Sequence, residues 1–160
     1  MAADLPAPSH ARPGRWRVFL DTSVLIAGLA SPTGASAAIR DLGEAEELRL
    51  VLSRQVLIEA DRVLFRKFPH LIERYRLFVK NVSPELADDA SPPMIRAAKA
   101  VIDPDDAPIL AAAKQAHVDY LVTLNTKHFL TPKARAFFLA QIVTPGEFLL
   151  AFRGFWEKAR

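Results

Sequence analysis

The order of short apolar runs along the chain constrains its fold more than any other feature. Such runs, several rich in β-branched or aromatic residues, occupy residues 17–20, 48–52, 120–123 and 141–144, and segments with helical spacing separate them. Strands that alternate with helices form a parallel sheet with helices on both faces, joined by right-handed crossovers. We therefore predict an α/β fold, specifically an α/β/α sandwich with a central parallel sheet.

Helical spacing, together with residues that favour helix ends and turns, defines the segments between these strands. Ser53 suits a helix N-cap, and the acids of 103–106 suit a first helical turn. Residues 82–84 are expected to be a loop or short strand, 88–93 a polar connection, and 124–129 a loop. Helices are expected at residues 24–29, 37–47, 54–68, 71–81, 103–117 and 133–139, and after Pro145.

The N-terminal segment differs from the rest of the chain. Residues 1–15 contain three prolines and show no periodicity, so we expect a disordered leader followed by a single domain over residues 16–160. With 51% hydrophobic and 24% charged residues, the composition is typical of a folded protein. No apolar stretch approaches the roughly 20 residues needed to cross a bilayer. We expect a cytoplasmic protein with no membrane association.

Two features of composition restrict the chemistry. The chain has no cysteine, which excludes disulfides, thiolate zinc sites, iron–sulfur clusters and cysteine nucleophiles. Its net charge is only +3, but basic residues concentrate in one central segment that a polyanion could contact. The alternative is that they are solvated faces of ordinary surface helices. The residues are Arg62, Arg66, Lys67, Arg74, Arg76 and Lys80.

Three carboxylates fall where the predicted topology can bring them together. Asp21 directly follows the first strand, and ligands of open parallel sheets bind beyond the carboxyl ends of the strands. Glu59 lies about two turns into the helix after the second strand, and Asp106 lies in the first turn of a later helix. Clustered carboxylates repel one another unless a cation joins them, and hard oxygen ligands favour Mg²⁺ or Mn²⁺. Such an ion would orient a water molecule and stabilise a phosphoryl transition state.

Each of these acids also has a purely structural explanation. Asp21 could cap the helix that follows it, Glu59 could be a solvated helix charge, and Asp106 could offset the helix dipole. An aspartate that interrupts an apolar run at a strand end, however, loses hydration on burial and needs a compensating reason. The three acids together therefore favour a site.

Four segments occur in a characteristic order and spacing between residues 17 and 148. They are Val18-Phe-Leu-Asp21-Thr-Ser-Val-Leu-Ile, Val51-Leu-Ser with Glu59 downstream, Asp103-Pro-Asp-Asp106-Ala-Pro-Ile-Leu-Ala-Ala-Ala, and Tyr120-Leu-Val-Thr123-Leu-Asn125. Together they resemble the ordered motifs of PIN domains. The resemblance implies a Mg²⁺- or Mn²⁺-dependent ribonuclease of α/β/α architecture that hydrolyses RNA phosphodiester bonds. Many bacterial members are VapC-type toxins held inactive by a cognate antitoxin, so RNA is the expected substrate and an antitoxin protein a candidate partner.

Carried over position by position, the resemblance assigns the acids. The first three family acids fall on Asp21, Glu59 and Asp106, expected as the catalytic metal ligands. The fourth, often aspartate, falls on Asn125, which can ligate but carries no charge, so a one-metal site is favoured over a tight two-metal pair. Asp103 is expected as an auxiliary ligand, since on a continuous helix it would share a face with Asp106.

Polar neighbours of the acids have two interpretations. Thr22, Ser23 and Thr123 could hydrogen-bond the carboxylates or water bound to the metal, or could serve as turn and cap residues. His128 falls near the site and could meet a phosphate, although we expect it to be an ordinary surface residue.

Three other functional classes can be compared with a nuclease. A receiver domain or a haloacid-dehalogenase-type phosphatase would need acidic pairs or an Asp-x-Asp pattern that the residues after the first strand lack. A PIN fold that has lost turnover and serves as an RNA-binding or protein-interaction module stays open, with Asn125 as its first sign. A homodimer is also a candidate assembly, unless the core absorbs a C-terminal apolar stripe. That stripe is Phe148, Leu149, Phe152, Phe155 and Trp156.

Overall fold

A five-stranded sheet forms the centre of the protein, with the strand order β3-β2-β1-β4-β5. The computed structural model describes residues 15–159. Every neighbouring pair of strands in the sheet is parallel. The strands are β1 (Trp16–Leu20), β2 (Leu48–Ser53), β3 (Glu85–Ala87), β4 (Tyr120–Val122) and β5 (Gln141–Val143). The predicted parallel α/β sheet is confirmed.

Helices cover both faces of this sheet, which confirms the α/β/α architecture. A 3-10 turn at Pro69–Leu71 separates α3 from α4. The helices are α1 (Thr22–Ala30), α2 (Ala35–Glu44), α3 (Arg54–Lys67), α4 (Ile72–Val82), α5 (Pro92–Lys99), α6 (Ala107–Gln115), α7 (Thr126–Phe129), α8 (Pro132–Phe138) and α9 (Pro145–Ala159).

The strand order creates a switch point beside β1. From β1 the chain builds β2 and β3 on one side, and it then crosses to build β4 and β5 on the other. The backbone N–H of Asp21 donates to the Val122 carbonyl at 3.0 Å, and that of Thr123 donates to the Val143 carbonyl at 3.0 Å. The residues that follow β1 and β4 are therefore fixed side by side, at the position where open α/β sheets bind ligands.

Aromatic packing accounts for most of the C-terminal apolar stripe. The ring centroid of Trp16 in β1 lies 5.9, 5.6 and 5.2 Å from those of Phe148, Phe152 and Phe155 in α9. Phe148 is fully buried, whereas Trp156 stays 40% exposed. Because the core absorbs most of the stripe, the stripe lends little support to a homodimer, which stays a prediction.

Three element predictions are wrong at particular segments. The polar connection predicted for 88–93 ends early, because Ser91 accepts a hydrogen bond from the Met94 N–H and α5 begins at Pro92. Proline in a first turn lacks only an N–H that would have no helical partner, so it marks a helix start there. The loop predicted for 124–129 contains the short helix α7.

The acidic segment before α6 also differs from its predicted structure. The predicted helix over 103–117 begins only at Ala107, and residues 103–106 form a turn in which the Asp106 N–H donates to the Asp103 carbonyl at 3.0 Å. Asp103 and Asp106 therefore do not share a helix face. Acids and proline suit a tight turn as well as a first helical turn, so the sequence did not distinguish the two.

Two expectations about the whole chain are not tested by these elements. The leader predicted for residues 1–15 lies, apart from Arg15, outside the described residues, so the division from a domain over 16–160 stays a prediction. Between residues 15 and 159 no single helix is long and apolar enough to cross a membrane. α1 and α2 reach that threshold only as a pair, bent by 90°.

Candidate metal centre

Asp21 is held rigidly at the end of β1. It is the N-cap of α1, and its Oδ1 accepts a hydrogen bond from the Thr22 N–H at 2.8 Å. Its Oδ2 accepts from the Thr123 hydroxyl at 2.8 Å and from the Ser23 hydroxyl at 3.2 Å. Only 6% of Asp21 is exposed. The three hydroxyl or amide donors confirm that Thr22, Ser23 and Thr123 support this carboxylate.

The environment of Asp21 raises the pKa of its carboxyl. Burial raises the pKa of the carboxyl above its ordinary value, and the charge of Asp106 raises it further, while the hydrogen bonds from Thr123, Thr22 and Ser23 lower it. The net direction is upward because loss of hydration outweighs the donors. A cation close to this group would reverse that balance.

Glu59 is joined to Asp21 through α1. Its Oε2 accepts a hydrogen bond from the Thr22 hydroxyl at 2.9 Å, and its Oε1 accepts from the Gln55 side-chain amide at 3.1 Å. Thr22 thus gives its backbone N–H to Asp21 and its hydroxyl to Glu59. One residue therefore sets the relative positions of two of the predicted ligands.

Asp106 belongs to a second group of side chains near the same edge. Its Oδ2 lies 2.6 Å from His128 Nδ1 and 3.5 Å from the Asn125 side-chain amide nitrogen. Asn125 caps α7, and its Oδ1 accepts from the His128 N–H at 3.4 Å. Asn125 therefore presents its N–H₂ group, and not its oxygen, to Asp106.

The pKa of Asp106 is also displaced upward. Burial raises it most, the hydrogen bond and charge of His128 lower it, and the negative charges of Asp103 and Glu59 raise it. Asp21 and Asp106 thus each feel at least one other predicted acid, as expected if the carboxylates converge on one region. Mutual repulsion of this kind is relieved by a shared cation.

Asp103 occupies a different position from the one predicted. It is exposed, and its Oδ1 accepts the Asp105 N–H at 3.0 Å within the turn. Its charge reaches Asp106, but its side chain is engaged locally. The expected helical alignment with Asp106 is wrong, so its role as a ligand depends on a change of rotamer or on a bridging water.

The predicted ligands have the donor atoms that a hard divalent cation prefers, but their side chains are not close enough together to enclose one. In the part of the chain from 15 to 159, no three His, Asp or Glu side chains lie close enough to form a metal-binding group as they stand. The donors available are carboxylate oxygens, the type that Mg²⁺ and Mn²⁺ select. In this conformation, at least one acid would contribute through water or after a rotamer change.

His128 is the feature that sequence reasoning undervalued. It was expected to be an ordinary surface residue, yet it makes the shortest contact to Asp106 described above. The sequence feature that indicates this contact is Asn125, a residue type that favours a helix N-cap. With Asn125 as the cap, His128 is the third residue of the helix, and the His128 side chain can turn back toward the cap. The loop predicted for 124–129 concealed this relation.

The fold and the site together define a class of protein. A parallel α/β sheet carries buried carboxylates at its switch point, and the sequence model of the PIN domain matches residues 17–127, more than half of the chain. The chain belongs to the PIN domain family. Members of this family are in general nucleases, which supports a nuclease function for this chain.

Two solved structures share the fold. VapBC2 from Rickettsia felis, bound to a DNA fragment from its promoter, is similar with a TM-score of 0.58 and 16% identity, covering 80% of this chain and 98% of that chain. PAE2754 from Pyrobaculum aerophilum is similar with a TM-score of 0.53 and 18% identity, covering 87% and 96%. No protein with a curated description matches the sequence significantly. At these identities the likenesses concern the fold.

Proposed function

We propose that the protein is a divalent-metal-dependent ribonuclease that hydrolyses RNA phosphodiester bonds internally, with Mg²⁺ or Mn²⁺ held by Asp21, Glu59 and Asp106. The observation that carries this proposal is the convergence of two carboxyls from distant segments: the buried Asp21 and the half-buried Asp106 lie close enough at one sheet edge for their charges to interact. Carboxyls whose pKa is raised by burial and by a neighbouring like charge are candidates for functional sites. RNA as substrate and Mg²⁺ or Mn²⁺ as cofactor follow from the family and from the oxygen donors.

The residues of the chain would divide the work as follows. Asp21 is the most fixed ligand, because the hydrogen bonds from Thr22, Ser23 and Thr123 prevent its rotation. Among the described residues no donor occupies Oδ1 of Asp106, which leaves that atom available to a cation. A ligand fixed in place as Asp21 is would stabilise charge without reorganising during the reaction.

The remaining members of the site have supporting roles in this proposal. A bound divalent ion would act as a Lewis acid on the phosphoryl group and offset the charge that grows in the transition state. Glu59 would complete the site directly or through water. His128 would hold Asp106 in its orientation, and Asp103 and Asn125 would contact the ion only after they reorient. The neutral side chain of Asn125 favours one ion over two.

Cleavage of a labelled RNA tests this proposal. Wild-type protein should cut a structured RNA with single-stranded loops in Mg²⁺ or Mn²⁺ and not in EDTA, and Asp21→Asn should lose roughly 100-fold or more of the rate, since it removes a charged ligand. Asp105→Asn is the matched control, because Asp105 is an exposed acid in the turn that contains Asp106. Its rate should stay within about twofold of wild type.

Two results would contradict the proposal. Cleavage at the same rate in EDTA as in Mg²⁺ or Mn²⁺ would show that the reaction needs no divalent metal. Cleavage by Asp21→Asn at the wild-type rate would show that Asp21 does not belong to the active site. If the wild type binds RNA but does not cut it in either metal, the alternative of a non-catalytic RNA-binding or protein-interaction module is favoured.

We also propose that this nuclease is the toxin of a type II toxin–antitoxin pair, acting on cytoplasmic RNA. Support comes from the family resemblance to VapC-type toxins and from the fold shared with VapBC2. Induced expression should then arrest growth, Asp21→Asn should not, and co-expression of a small protein encoded beside the gene should restore growth. Normal growth in the presence of active enzyme would instead indicate a nuclease without a toxin role.

A further inference from the structure

A groove of about 650 Å³ lies between α3 and α4, on residues that the acid site does not use. Leu64 and Ile72 contribute apolar surface to it, and the aromatic side chains of Phe65 and Tyr75 line it together with Arg62 and Arg76. Aromatic rings and guanidinium groups thus share one open concave surface. We propose that this groove binds single-stranded RNA, with a base stacked on Phe65 and phosphates at the arginines. The inference rests on the proposed ribonuclease function and deepens it.

The exposure of Phe65 is the first observation behind this proposal. Its side chain is 78% exposed, against 40% for Trp156, the other strongly exposed aromatic. Ile58, two turns earlier in α3, is also exposed on the same helix face, and the charged Asp61 and Arg62 lie between the two apolar side chains. An aromatic face left in water is the surface on which an unpaired base stacks, and base–aromatic stacking accepts any base.

The charge of the residues around the groove favours a negatively charged ligand. Residues 54–82 contain seven basic and three acidic residues, a net charge of +4, whereas the whole chain carries +3. Arg62, Arg66, Lys67 and Lys80 are exposed and form no ion pair within the described part of the chain. A positive surface that also offers aromatic faces suits a single-stranded polyanion, because the bases of a duplex are already stacked inside it.

One acid lies within this positive surface. Asp61 lines the groove beside Tyr75; burial, and to a smaller extent the charge of Asp61, raises the pKa of the Tyr75 hydroxyl. A carboxylate there repels phosphate but accepts hydrogen bonds from base amino groups. Asp61 and Tyr75 thus mark the position of a base, and Arg62 and Arg76 mark positions of the backbone. Arg76 already contacts Glu73 at 2.6 Å, so its contribution is the smaller one.

Helix α3 carries residues of both the groove and the proposed active site. α3 carries Glu59, and Phe65 follows six residues later, about 9 Å along the helix axis. Arg62 lies between them, close to one turn after Glu59. A strand bound at Arg62 would therefore lie about one helical turn from Glu59, one of the predicted ligands.

Fluorescence anisotropy with a labelled single-stranded 12-mer RNA tests the inference, measured in EDTA so that binding is observed without cleavage. Phe65→Ala should weaken binding roughly 10-fold and Phe65→Trp should preserve it, because stacking needs an aromatic face. Arg62→Gln should weaken binding and reduce its dependence on salt. An RNA duplex should bind more weakly and should not respond to Phe65→Ala.

Matched variants on α9 provide the controls. Leu150→Ala removes an exposed apolar side chain and Arg153→Gln an exposed arginine, both outside the groove, and neither should change RNA affinity. Circular dichroism would establish that every variant is folded. If Phe65→Ala and Arg62→Gln bind the 12-mer as tightly as these controls, the inference is overturned.

The remaining outcomes separate this inference from the proposed function. RNA binding that depends on the groove, without metal-dependent cleavage, would support the groove as an RNA site and overturn the proposed nuclease activity. Metal-dependent cleavage with the same KM in wild type and Phe65→Ala would support the nuclease activity and overturn the groove as an RNA site. A protein occupant is the competing case. Concentration-dependent self-association that Phe65→Ala abolishes, with RNA affinity unchanged, would overturn the assignment to RNA.

Discussion

At the scale of single residues, the position of Asp21 is compatible with both of the roles that the sequence presented as alternatives, helix cap and metal ligand. Its Oδ1 caps α1 through the Thr22 N–H, and its Oδ2 is held by Thr123. Because a carboxylate oxygen has more than one lone pair, capping leaves it able to approach a cation. A helix cap at a buried strand end is therefore compatible with a metal ligand.

The pKa displacement of Asp21 predicts an effect on stability. The folded-state pKa lies above the ordinary value of 3.8, so the folded protein binds this proton more tightly than the unfolded chain does. Stability associated with this group is thus highest below pH 3.8 and falls as the pH rises through the folded-state pKa. In EDTA at pH 7, Asp21→Asn should unfold at a higher temperature than wild type.

Differential scanning calorimetry at several pH values would check that prediction. The gain should shrink as the pH falls and Asp21 becomes protonated in the wild type, while Asp105→Asn should show no such gain. A lower melting temperature for Asp21→Asn at pH 7 would mean that the ionised carboxylate stabilises the fold, which contradicts a raised folded-state pKa.

At the scale of elements, α1 is held at both ends. Asp21 fixes its start, and two arginines bind the carbonyls at its end: Arg40 Nη1 donates to Gly28 at 2.5 Å and to Ser31 at 3.4 Å, and Arg74 Nη1 donates to Leu29 at 2.9 Å. Positive charge at a helix C-terminus is favourable. The arginines thus stabilise the helix that positions Asp21.

Replacement of Arg40 tests this arrangement. Arg40→Met keeps most of the apolar stem but removes the donors, so the carbonyls of α1 lose partners and the protein should lose about 1.5–3 kcal/mol of unfolding free energy. Urea denaturation would measure the loss. Arg153→Met, at an exposed i,i+4 pair, should change stability by less than about 0.5 kcal/mol. Equal effects of the two substitutions would show that the Arg40 contacts contribute little.

Elements with strong periodicity could be predicted from the sequence, and those governed by proline and aspartate could not. The strands at 48–52 and 120–123 and the helix after Ser53 follow directly from apolar spacing and a cap residue. α5 was missed because its first two residues are prolines, which mark either a loop or a helix start. The sequence supplies no local signal that chooses between these states.

At the scale of the whole molecule, topology explains which site features were predictable. The order of strands along the chain indicates that residues after β1 and β4 meet, which is how Asp21 and Thr123 come together. The separation of the acids into an Asp21–Glu59 half and an Asp106–His128 half depends on rotamers and on the turn before α6. Those are set by contacts that no single stretch of sequence encodes.

The dependence of the cleavage rate on Mn²⁺ concentration tests the central claim most directly. We expect a saturable dependence for wild type, saturation at a higher Mn²⁺ concentration for Asp106→Asn, and a rate for Asp21→Asn that stays roughly 100-fold or more below wild type at every concentration. Identical Mn²⁺ curves for wild type and both variants, or a rate that does not depend on Mn²⁺, would contradict it.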